Sequence, residues 1–525
     1  MRTFVAACLA VWVVCLASPA TLHGQALSSI TGTATDATGG VMPNVKITVT
    51  NTATQVASHS VTSSSGTYTV TDLIPGTYTV QAEAPGFQTS LHNGVLVDVG
   101  RPSTVDISLQ TGNVTQSVEV QEAAITLNTT EPELGTTIEN AVVQALPVEL
   151  DSGDGRGRQI DQFVFLAPGV TGGTFSKRIN GGVDFESEVV FNGVPMAQSE
   201  TQGFQTIWNP PFEQVNEFNV LRSSFSAQYG LAQGVVTYQT ASGTNQLHGD
   251  VFEILRNNFF DARGAYNATT PVDNEHNYGF TVGGPVWIPK VYNGKNRLFF
   301  HVSTEWYRRN TPDLTFMSLP TAAEKQGNFG DLLTLKVPAP IYDPTTGVPF
   351  TGNIIPKSRF SPLSSTLIPL MPDPTLPGYS NNFQSNEGVL PTRQTNWGFN
   401  IDYNINDKQS IHWSEWRNKW SSFGTETSSH LLGELGSQTT QPDLGTVFLL
   451  SYSNSLTPHL VMTAGASWLG ELNDQISVVK NSNFAAAPGA PQLPQITFAG
   501  PPGSNRLRFA VDSIHQPKAG LGGRE

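Results

Sequence analysis

Cysteine is nearly absent from this chain. Its 525 residues include two, Cys8 and Cys15, and both lie in the apolar stretch at the N-terminus. We expect that stretch to be removed on export, which leaves a mature chain with no thiol, disulfide or thiolate metal site. A large exported protein without disulfides is typical of a Gram-negative envelope, where hydrogen-bonded β structure can supply the stability.

Charge is also scarce. Charged residues make up 13% of the chain, the formal net charge is −14, and Lys and Arg form no cluster. This composition argues against nucleic acid as a partner, because phosphates need a basic face. The 49 glycines, together with abundant Thr, Ser and Asn, favour strands and turns over helices. The length predicts two to four domains.

The apolar run at the N-terminus is too short for a membrane-spanning helix, which needs ~20 residues. The run Phe4–Ala17 follows Arg2 and precedes small residues, which is the pattern of a secretory signal peptide. We predict that residues 1–26 are this signal, with cleavage after Ala20 or Ala26.

Residues 27–112 carry short alternating strands separated by turns, which predicts a small β-sandwich. The segment Gly66–Val80 follows the pattern G-x-Y-x-V-x-x-L-x-P-G-x-Y-x-V. The residues that carry the match are Gly66, Tyr68, Leu73, Pro75, Gly76 and Tyr78. This pattern resembles the carboxypeptidase regulatory-like (transthyretin-like) domain, and its superfamily implies a carbohydrate-binding-like fold.

Residues 124–242 change to a mixed pattern that predicts an α+β domain. Two segments have helical signals: Arg158–Leu166 has amphipathic spacing, and Pro211–Phe218 opens with a proline. The strand signals are Glu188–Val194 with a tight turn, Asn219–Leu221, and Gly234–Thr240.

Beyond Gly243 the alternation lengthens. In Leu298–Trp306, Leu298, Phe300, Val302 and Trp306 share a face opposite Phe299, His301, Ser303 and Glu305. The same alternation recurs near Trp397 and Trp468. It predicts antiparallel transmembrane strands, with lipid on one face and a polar lumen on the other. A soluble β-sandwich predicts the same alternation, but aromatic residues near strand ends and the preceding α+β block favour a barrel. We assign residues 243–525 to an incomplete barrel with a long loop at 310–395.

The junction Val215–Arg263, with its hinge Ser242–Asn245, resembles the plug-to-barrel junction of TonB-dependent outer-membrane receptors. The likeness is to the Oar-like branch, which carries the regulatory-like domain before the plug. Strings in the Pro-rich stretch also resemble this branch: Leu319–Glu324, Ile341–Pro344 and Asn353–Pro356. The resemblance implies a mainly β protein of the Gram-negative outer membrane, made of a β-sandwich, a plug at 124–242 and a barrel.

The number of strands falls short of this family. Its barrels have about 22, whereas Asp250–Leu469 holds about seven or eight candidates. The ending, Gln516–Glu525, is polar and lacks a terminal aromatic strand. An open sheet edge does not persist in lipid. We therefore expect a C-terminally truncated product or fragment.

The resemblance also implies partners and sites. Residues 113–123 form a linker that contains a candidate TonB box, Ser117, Val118, Glu119, Val120, Gln121, Glu122 and Ala123, although an ordinary linker strand explains it equally well. The candidate ligand-facing plug loops contain Phe175, Lys177, Arg178, Asn180, Gln198, Glu200, Gln202 and Gln205. The implied partners are a TonB-type energising protein of the inner membrane, outer-membrane lipid and an extracellular ligand such as a siderophore, glycan or peptide.

No catalytic constellation is present in the sequence, so we predict no enzyme, no cofactor and no metal. His412 and Glu415 form an HxxE string, but they lie on an alternating strand and would point to opposite faces. The string Asp151–Arg158 lacks calcium-loop spacing and is interpreted as a solvated loop. The leading function is ligand import through the outer membrane. The alternatives are a surface protein with a carbohydrate-binding or adhesion role, and a non-functional fragment of a transporter.

Overall fold

A computed structural model describes most of the chain. The described residues are 28–112, 117–121, 134–146, 157–173, 176–184, 186–196, 206–223, 233–262, 270, 273–312, 316–361, 364–365, 368–384, 389–423, 439–457, 460–473 and 476–477. The predicted signal peptide and the ending Gln516–Glu525 lie outside them. The described residues form three β units in chain order.

The first unit is a β-sandwich, as predicted. One sheet contains β1 (Ser28–Asp36), β4 (Thr67–Leu73), β7 (Pro102–Thr104) and β8 (Ile107–Leu109), with β1 antiparallel to β4 and parallel to β7 and β8. The other sheet has the order β3-β2-β5-β6-β9 and contains β2 (Lys46–Asn51), β3 (Ala57–Val61), β5 (Gly76–Glu83), β6 (Thr89–Val97) and β9 (Ser117–Gln121).

The two tyrosines of the sequence pattern lie in the core of the sandwich. Tyr68 donates its hydroxyl hydrogen to the Val105 carbonyl at 2.7 Å, and Tyr78 donates to the Ile74 carbonyl at 2.6 Å. Each ring is buried among aliphatic side chains from both sheets. A buried phenol needs a hydrogen-bond acceptor, so each tyrosine connects a strand to a loop as well as filling the core.

The second unit, which we call the plug sheet, has the order β10-β15-β16-β13-β14. Its strands are β10 (Leu134–Glu139), β13 (Ser187–Phe191), β14 (Val194–Pro195), β15 (Val215–Ser223) and β16 (Gly234–Thr240), and a hairpin of β11 (Val170–Gly173) and β12 (Ser176–Ile179) lies beside it. The helical parts are α1 (Asn140–Gln144) and the 3-10 turns Ile160–Leu166, Thr206–Trp208 and Phe212–Gln214.

Two helix predictions in the plug region need correction. Arg158–Leu166 forms a 3-10 segment over Ile160–Leu166 rather than an α-helix. The helix predicted over Pro211–Phe218 is wrong: a single 3-10 turn at Phe212–Gln214 leads directly into β15. That strand pairs with β10 on one side and with β16 on the other. Ladders on both sides outweigh the local helical signal of a proline at the first position.

The third unit, which we call the long sheet, is an antiparallel meander. Its strands are β17 (His248–Asn257), β18 (Asn274–Pro285), β21 (Leu298–Pro312), β24 (Val389–Asn406), β25 (Gln409–Phe423), β26 (Thr439–Thr457) and β27 (Leu460–Asn473), with β28 (Ile476–Ser477) paired to β26. Small pairs form between β19 (Trp287–Ile288) and β20 (Tyr292–Asn293), and between β22 (Phe316–Met317) and β23 (Phe383–Gln384). Within the described ranges, β17 and β27 are the two edges, so the sheet does not close on itself there.

The long sheet places mainly polar side chains, with a few large apolar ones, on its covered face and apolar side chains on its outer face. Buried polar residues recur at every second position, among them Ser303, Glu305, Asn396, Asn400, Ser414 and Asn418. The opposite face carries large apolar side chains such as Tyr278, Phe280, Leu450, Met462 and Trp468, the last 58% exposed. A water-soluble sandwich has the reverse arrangement, and strands in lipid have this one. The faces predicted for Leu298–Trp306 are confirmed.

The two ends of the long sheet differ in their connections. At one end β24 and β25 are separated by a two-residue turn at Asp407 and Lys408. At the other end, residues 313–388 connect β21 to β24. The described part of this loop is held together by its own contacts: Thr321 and Glu324 form a capping box on α2 (Ala322–Lys325), and Arg359 forms an ion pair with Asp343 at 2.8 Å. The 3-10 turns Gly330–Thr334, Thr351–Asn353, Lys357–Arg359 and Ile368–Leu370 complete it.

No helix in the described part of the chain combines the length and the apolar character needed to cross a bilayer.

Candidate functional site

The plug sheet lies against the polar face of the long sheet, and the contacts between them form the candidate functional site. Hydrogen bonds, a buried ion cluster and a shared apolar core join the two units. The residues that form this contact come from turns at the edge of the plug sheet and from inward positions on β21, β24, β25 and β26.

A buried arginine is at the centre of the contact. The guanidinium of Arg158 has Nη2 3.3 Å from Oε1 of Glu213, in the plug region, and 3.3 Å from Oε1 of Glu305, on β21. Its carbon Cζ lies 4.2 Å from the centre of the Phe212 ring and 5.0 Å from that of Phe252. The second oxygen of Glu305 accepts a hydrogen bond from the backbone N–H of Phe212 at 3.0 Å.

This cluster is charged and almost dry. The side chains of Arg158 and Glu305 are 3% and 4% exposed. Burial raises the pKa of Glu213, and the Arg158 guanidinium offsets part of that rise. A guanidinium shared by two carboxylates and stacked on aromatic rings is far from water, so removing it leaves buried negative charge without a partner.

Gln214 forms a second contact beside the arginine. Its Nε2 donates to Oδ1 of Asn400 at 3.1 Å, and its Oε1 accepts from Ser303 at 3.4 Å. The side chain lies so close to β24 that a Cβ on Gly398 would be 1.7 Å from Oε1 of Gln214. Glycine at position 398 therefore creates the space that this glutamine fills.

The hinge that joins the plug region to β17 lies close against the long sheet. Ser242 donates to Oδ2 of Asp402 at 2.5 Å. A Cβ on Gly243 would lie 2.4 Å from the Phe300 carbonyl oxygen. The hinge predicted at Ser242–Asn245 thus runs directly against the inner face of the long sheet.

An apolar core is shared by the two units. Trp416 of β25 is fully buried, donates its indole N–H to the Trp208 carbonyl at 2.6 Å, and lies with its ring centre 5.3 Å from that of Phe191. Val447 and Leu449 of β26 belong to the same cluster. The plug sheet therefore has no separate core of its own on this side, because inward apolar residues of the long sheet complete it.

The sandwich contacts the plug sheet at the backbone of Val99, which bonds to Glu217 and Asn219 of β15. Oε1 of Glu217 accepts a hydrogen bond from the backbone N–H of Val99 at 2.5 Å, and Asn219 donates to the Val99 carbonyl at 3.3 Å. Burial raises the pKa of Glu217 to about 8, and the nearby carboxylate of Asp98 adds to the rise. The protonation of Glu217 is therefore coupled to this contact.

The sandwich also touches the short-turn end of the long sheet. Asn245 donates to the Thr54 carbonyl at 2.6 Å, and Ser410 donates to Oδ2 of Asp72 at 2.7 Å. Between these contacts lies an open cavity of about 760 Å³. It is lined by polar groups from both units, including His59, Asp407 and Lys408.

The structure places only part of the predicted site. Ser117–Gln121 of the candidate TonB box form β9, whereas Glu122 and Ala123 lie outside the described residues. Lys177 forms an ion pair with Asp161, Arg178 with Asp184, and Asn180 donates to the Arg222 carbonyl. These three side chains thus bond within the plug region. Phe175, Gln198, Glu200, Gln202 and Gln205 lie outside the described residues.

Two interpretations of single residues can be compared with the structure. The interpretation of Asp151–Arg158 as a solvated loop is wrong for Arg158, because this residue is buried against Glu305. His412 faces the covered side of β25 and contacts Asp402 at 2.8 Å, while Glu415 lies near Arg417. In the part of the chain that the structure describes, no three His, Cys, Asp or Glu side chains are placed to hold a metal ion.

Comparison with known families identifies the long sheet. The family model of an outer membrane beta barrel domain matches residues 239–519, just over half of the chain. The chain belongs to this outer membrane β-barrel family. A carboxypeptidase regulatory-like domain matches residues 29–110, so both parts of the resemblance inferred from the sequence are confirmed.

One curated relative and two solved structures are similar to this chain. The TonB-dependent transporter Oar of Myxococcus xanthus is 25% identical over 288 residues, which cover 52% of this chain and 27% of Oar. The chain thus spans about a quarter of the length of that relative, which is named as a transporter and not as an enzyme. The siderophore receptor PirA of Acinetobacter baumannii has 15% identity and a TM-score of 0.39, over 65% of this chain and 40% of PirA. A variant of the ferric enterobactin receptor PfeA of Pseudomonas aeruginosa has 14% identity and a TM-score of 0.39, over 65% of this chain and 41% of PfeA.

Replacing Arg158 with Met should loosen the plug sheet. The change leaves the Glu213 and Glu305 carboxylates buried without their cation, a loss that costs about 3–5 kcal/mol for buried pairs. Hydrogen exchange of β15 and β16 in the detergent-solubilised chain should therefore rise. The matched control is Arg178→Met, whose exposed pair with Asp184 contributes little. Equal exchange in both variants would contradict the role of Arg158.

The stability of the chain should depend on the charge of Glu217. Between pH about 4.5 and about 8 the folded chain keeps a proton on Glu217 that the unfolded chain has lost. Stability therefore falls as pH rises through this window, by at most about 1.4 kcal/mol per pH unit. Glu217→Gln, which mimics the protonated form, should flatten the pH dependence of the melting temperature. Asp331→Asn removes an exposed carboxylate and serves as the control. A slope in Glu217→Gln equal to that of the unaltered chain would rule out this contribution.

Proposed function

We propose that this chain acts as a TonB-dependent receptor that imports a ligand across the outer membrane. The observation that carries the proposal is the plug sheet seated on the polar face of an outer-membrane β-barrel sheet. The relative Oar is named as a TonB-dependent transporter, and this supports the same role here. The domain boundaries at 112, 123 and 242 form part of the same proposal.

The contacts between the plug sheet and the long sheet are of a kind that allows the plug to move away from the long sheet. Several of them are hydrogen bonds between polar side chains, such as Gln214 with Asn400 and Asn192 with Ser414. Water can replace such partners when the plug moves, so separation costs less than breaking an apolar core of the same area. A ligand that favours one plug position over another would bias this equilibrium.

The partner would act on the segment before the plug sheet. Residues 117–123 precede β10 in the chain, so a TonB-type protein that binds them could pull on the plug strand through residues 122–133. Binding of an extended segment to a sheet edge uses backbone hydrogen bonds. The ligand is a siderophore, glycan or peptide, and the plug loops with Phe175, Lys177 and Gln202 are the proposed contact region.

The second candidate is a surface protein whose sandwich binds carbohydrate. The sandwich contacts the end of the long sheet that has the two-residue turn Asp407–Lys408. In outer-membrane barrels short turns face the periplasm and long loops face outside. A module at the short-turn end is on the wrong side for adhesion, which favours the receptor.

Replacing residues 117–123 by a Gly-Ser segment of equal length should abolish capture by the periplasmic domain of a TonB-type protein. The backbone remains continuous, so barrel insertion should persist, as measured by heat-modifiable gel mobility in the outer-membrane fraction. The control is the same replacement at residues 113–116. Unchanged capture would reject the candidate TonB box, and a chain that stays soluble in the periplasm would reject the receptor.

A further inference from the structure

The candidate TonB box is already part of a sheet. β9 runs parallel to β6 over five residues. The Cα partners are Thr89 with Ser117, Ser90 with Val118, Leu91 with Glu119, His92 with Val120 and Asn93 with Gln121. The other edge of β6 is paired with β5. In the described residues β9 therefore ends the sheet, with one edge used by β6 and the other open.

We propose that the sandwich is a clamp for the coupling segment, and that a TonB-type partner engages this segment productively only after β9 has left β6. The inference rests on the proposed function. It gives the N-terminal domain a role in regulation: as long as β9 is paired, the segment that the partner needs is occupied.

The strength of the pairing suits a clamp that can open. β9 is short, lies at an edge and pairs in parallel, which is slightly less stable per residue than antiparallel pairing. It is also joined to the sandwich through residues 113–116, a linker short enough to give an effective concentration on the millimolar scale. Gly112 at the start of this linker donates its N–H to the Gly86 carbonyl at 3.1 Å. The tether thus favours the closed state, and the weak ladder allows it to open.

The route that a pulling force would take through the chain favours release of β9 from β6. The alternative is that the partner adds to the open edge of β9 while β9 stays paired. The sandwich is held to the plug sheet through Val99 and Glu217, and to the long sheet through Asp72 and Ser410. If β9 stayed paired, a pull on it would load the sandwich and these anchors. After release, the same pull also reaches β10 through residues 122–133. Release of β9 is therefore the step that connects the partner to the plug strand.

The clamp has a thermodynamic consequence. If only a fraction of molecules has β9 free, the apparent dissociation constant of the partner is the intrinsic constant divided by that fraction. A peptide of residues 113–124 should therefore bind the periplasmic domain of a TonB-type protein more tightly than the whole chain does. Locking the clamp shut should weaken capture of the whole chain further.

A disulfide lock tests the proposal. Leu91→Cys with Glu119→Cys joins β6 to β9, and Gln81→Cys with Leu91→Cys joins β5 to β6 and leaves β9 free. Cys8 and Cys15 are changed to Ala in both. Oxidation of the first variant should reduce capture by the periplasmic TonB domain at least about tenfold, and reduction should restore it. The second variant should be captured equally in both states.

The outcomes separate the clamp from the function on which it rests. If the peptide binds and the oxidised 91–119 variant is captured as well as its reduced form, β9 need not leave β6 and the clamp is rejected while the coupling segment stands. If the 91–119 disulfide does not form while the 81–91 disulfide does, β9 is not held on β6 and the clamp is again rejected. If the peptide itself does not bind, the coupling segment is wrong and the clamp falls with it.

Discussion

The structure depends on one constraint, which is that the long sheet has its apolar face outward and its polar face covered. Backbone groups in a bilayer must be paired along the strands, and side chains on the lipid side must be apolar. The inward positions can then be polar only if water or a unit with matching groups lies against them. The plug sheet fills this role, and the segments at its edge carry the groups that match Glu305, Asn400 and Ser414.

The same constraint explains why the contact is mixed. A purely apolar contact would fix the plug sheet in place. A purely polar contact would lack the aromatic rings that pack against Arg158. Trp416 supplies a buried apolar anchor, while Arg158 supplies a charged one whose loss leaves uncompensated buried charge. The plug is thus held specifically, through groups that water or a rearranged plug can satisfy. The sandwich adds a third layer, attached in part through Glu217 and carrying the segment on which a partner would pull.

Local patterns predicted much of the fold. The two-residue period of Leu298–Trp306 gave the correct faces, because side-chain direction in a strand depends only on position. The Gly66–Val80 pattern predicted the sandwich, because its tyrosines fill the core and its turn residues connect the neighbouring strands β4 and β5. Prediction failed where distant pairing decides the outcome. Pro211–Phe218 has a helical start, yet β15 is a strand because β10 and β16 pair with it on both sides.

The candidate site was harder to predict for the same reason. Arg158 and Glu305 are 147 residues apart in sequence, and nothing near Arg158 indicates burial. The glycines and charged residues that precede it instead suggest that this segment is exposed to solvent. The glycine at position 398 offers the best signal in retrospect, since an inward glycine on a spanning strand indicates that another backbone or side chain comes close. The pairing of β9 with β6 could not be read from Ser117–Gln121 alone, because an extended segment pairs with whichever edge its tether brings near.

The most direct test is to measure which side chains of β26 meet lipid. Single cysteines at Val447, Phe448, Leu449 and Leu450, each carrying a fluorophore, would be placed in vesicles that contain brominated lipid. The structure predicts strong quenching at Phe448 and Leu450, and little at the buried positions Val447 and Leu449. Quenching that is uniform, absent, or strongest at positions 447 and 449 would contradict a polar face covered by the plug sheet and an apolar face turned to the membrane.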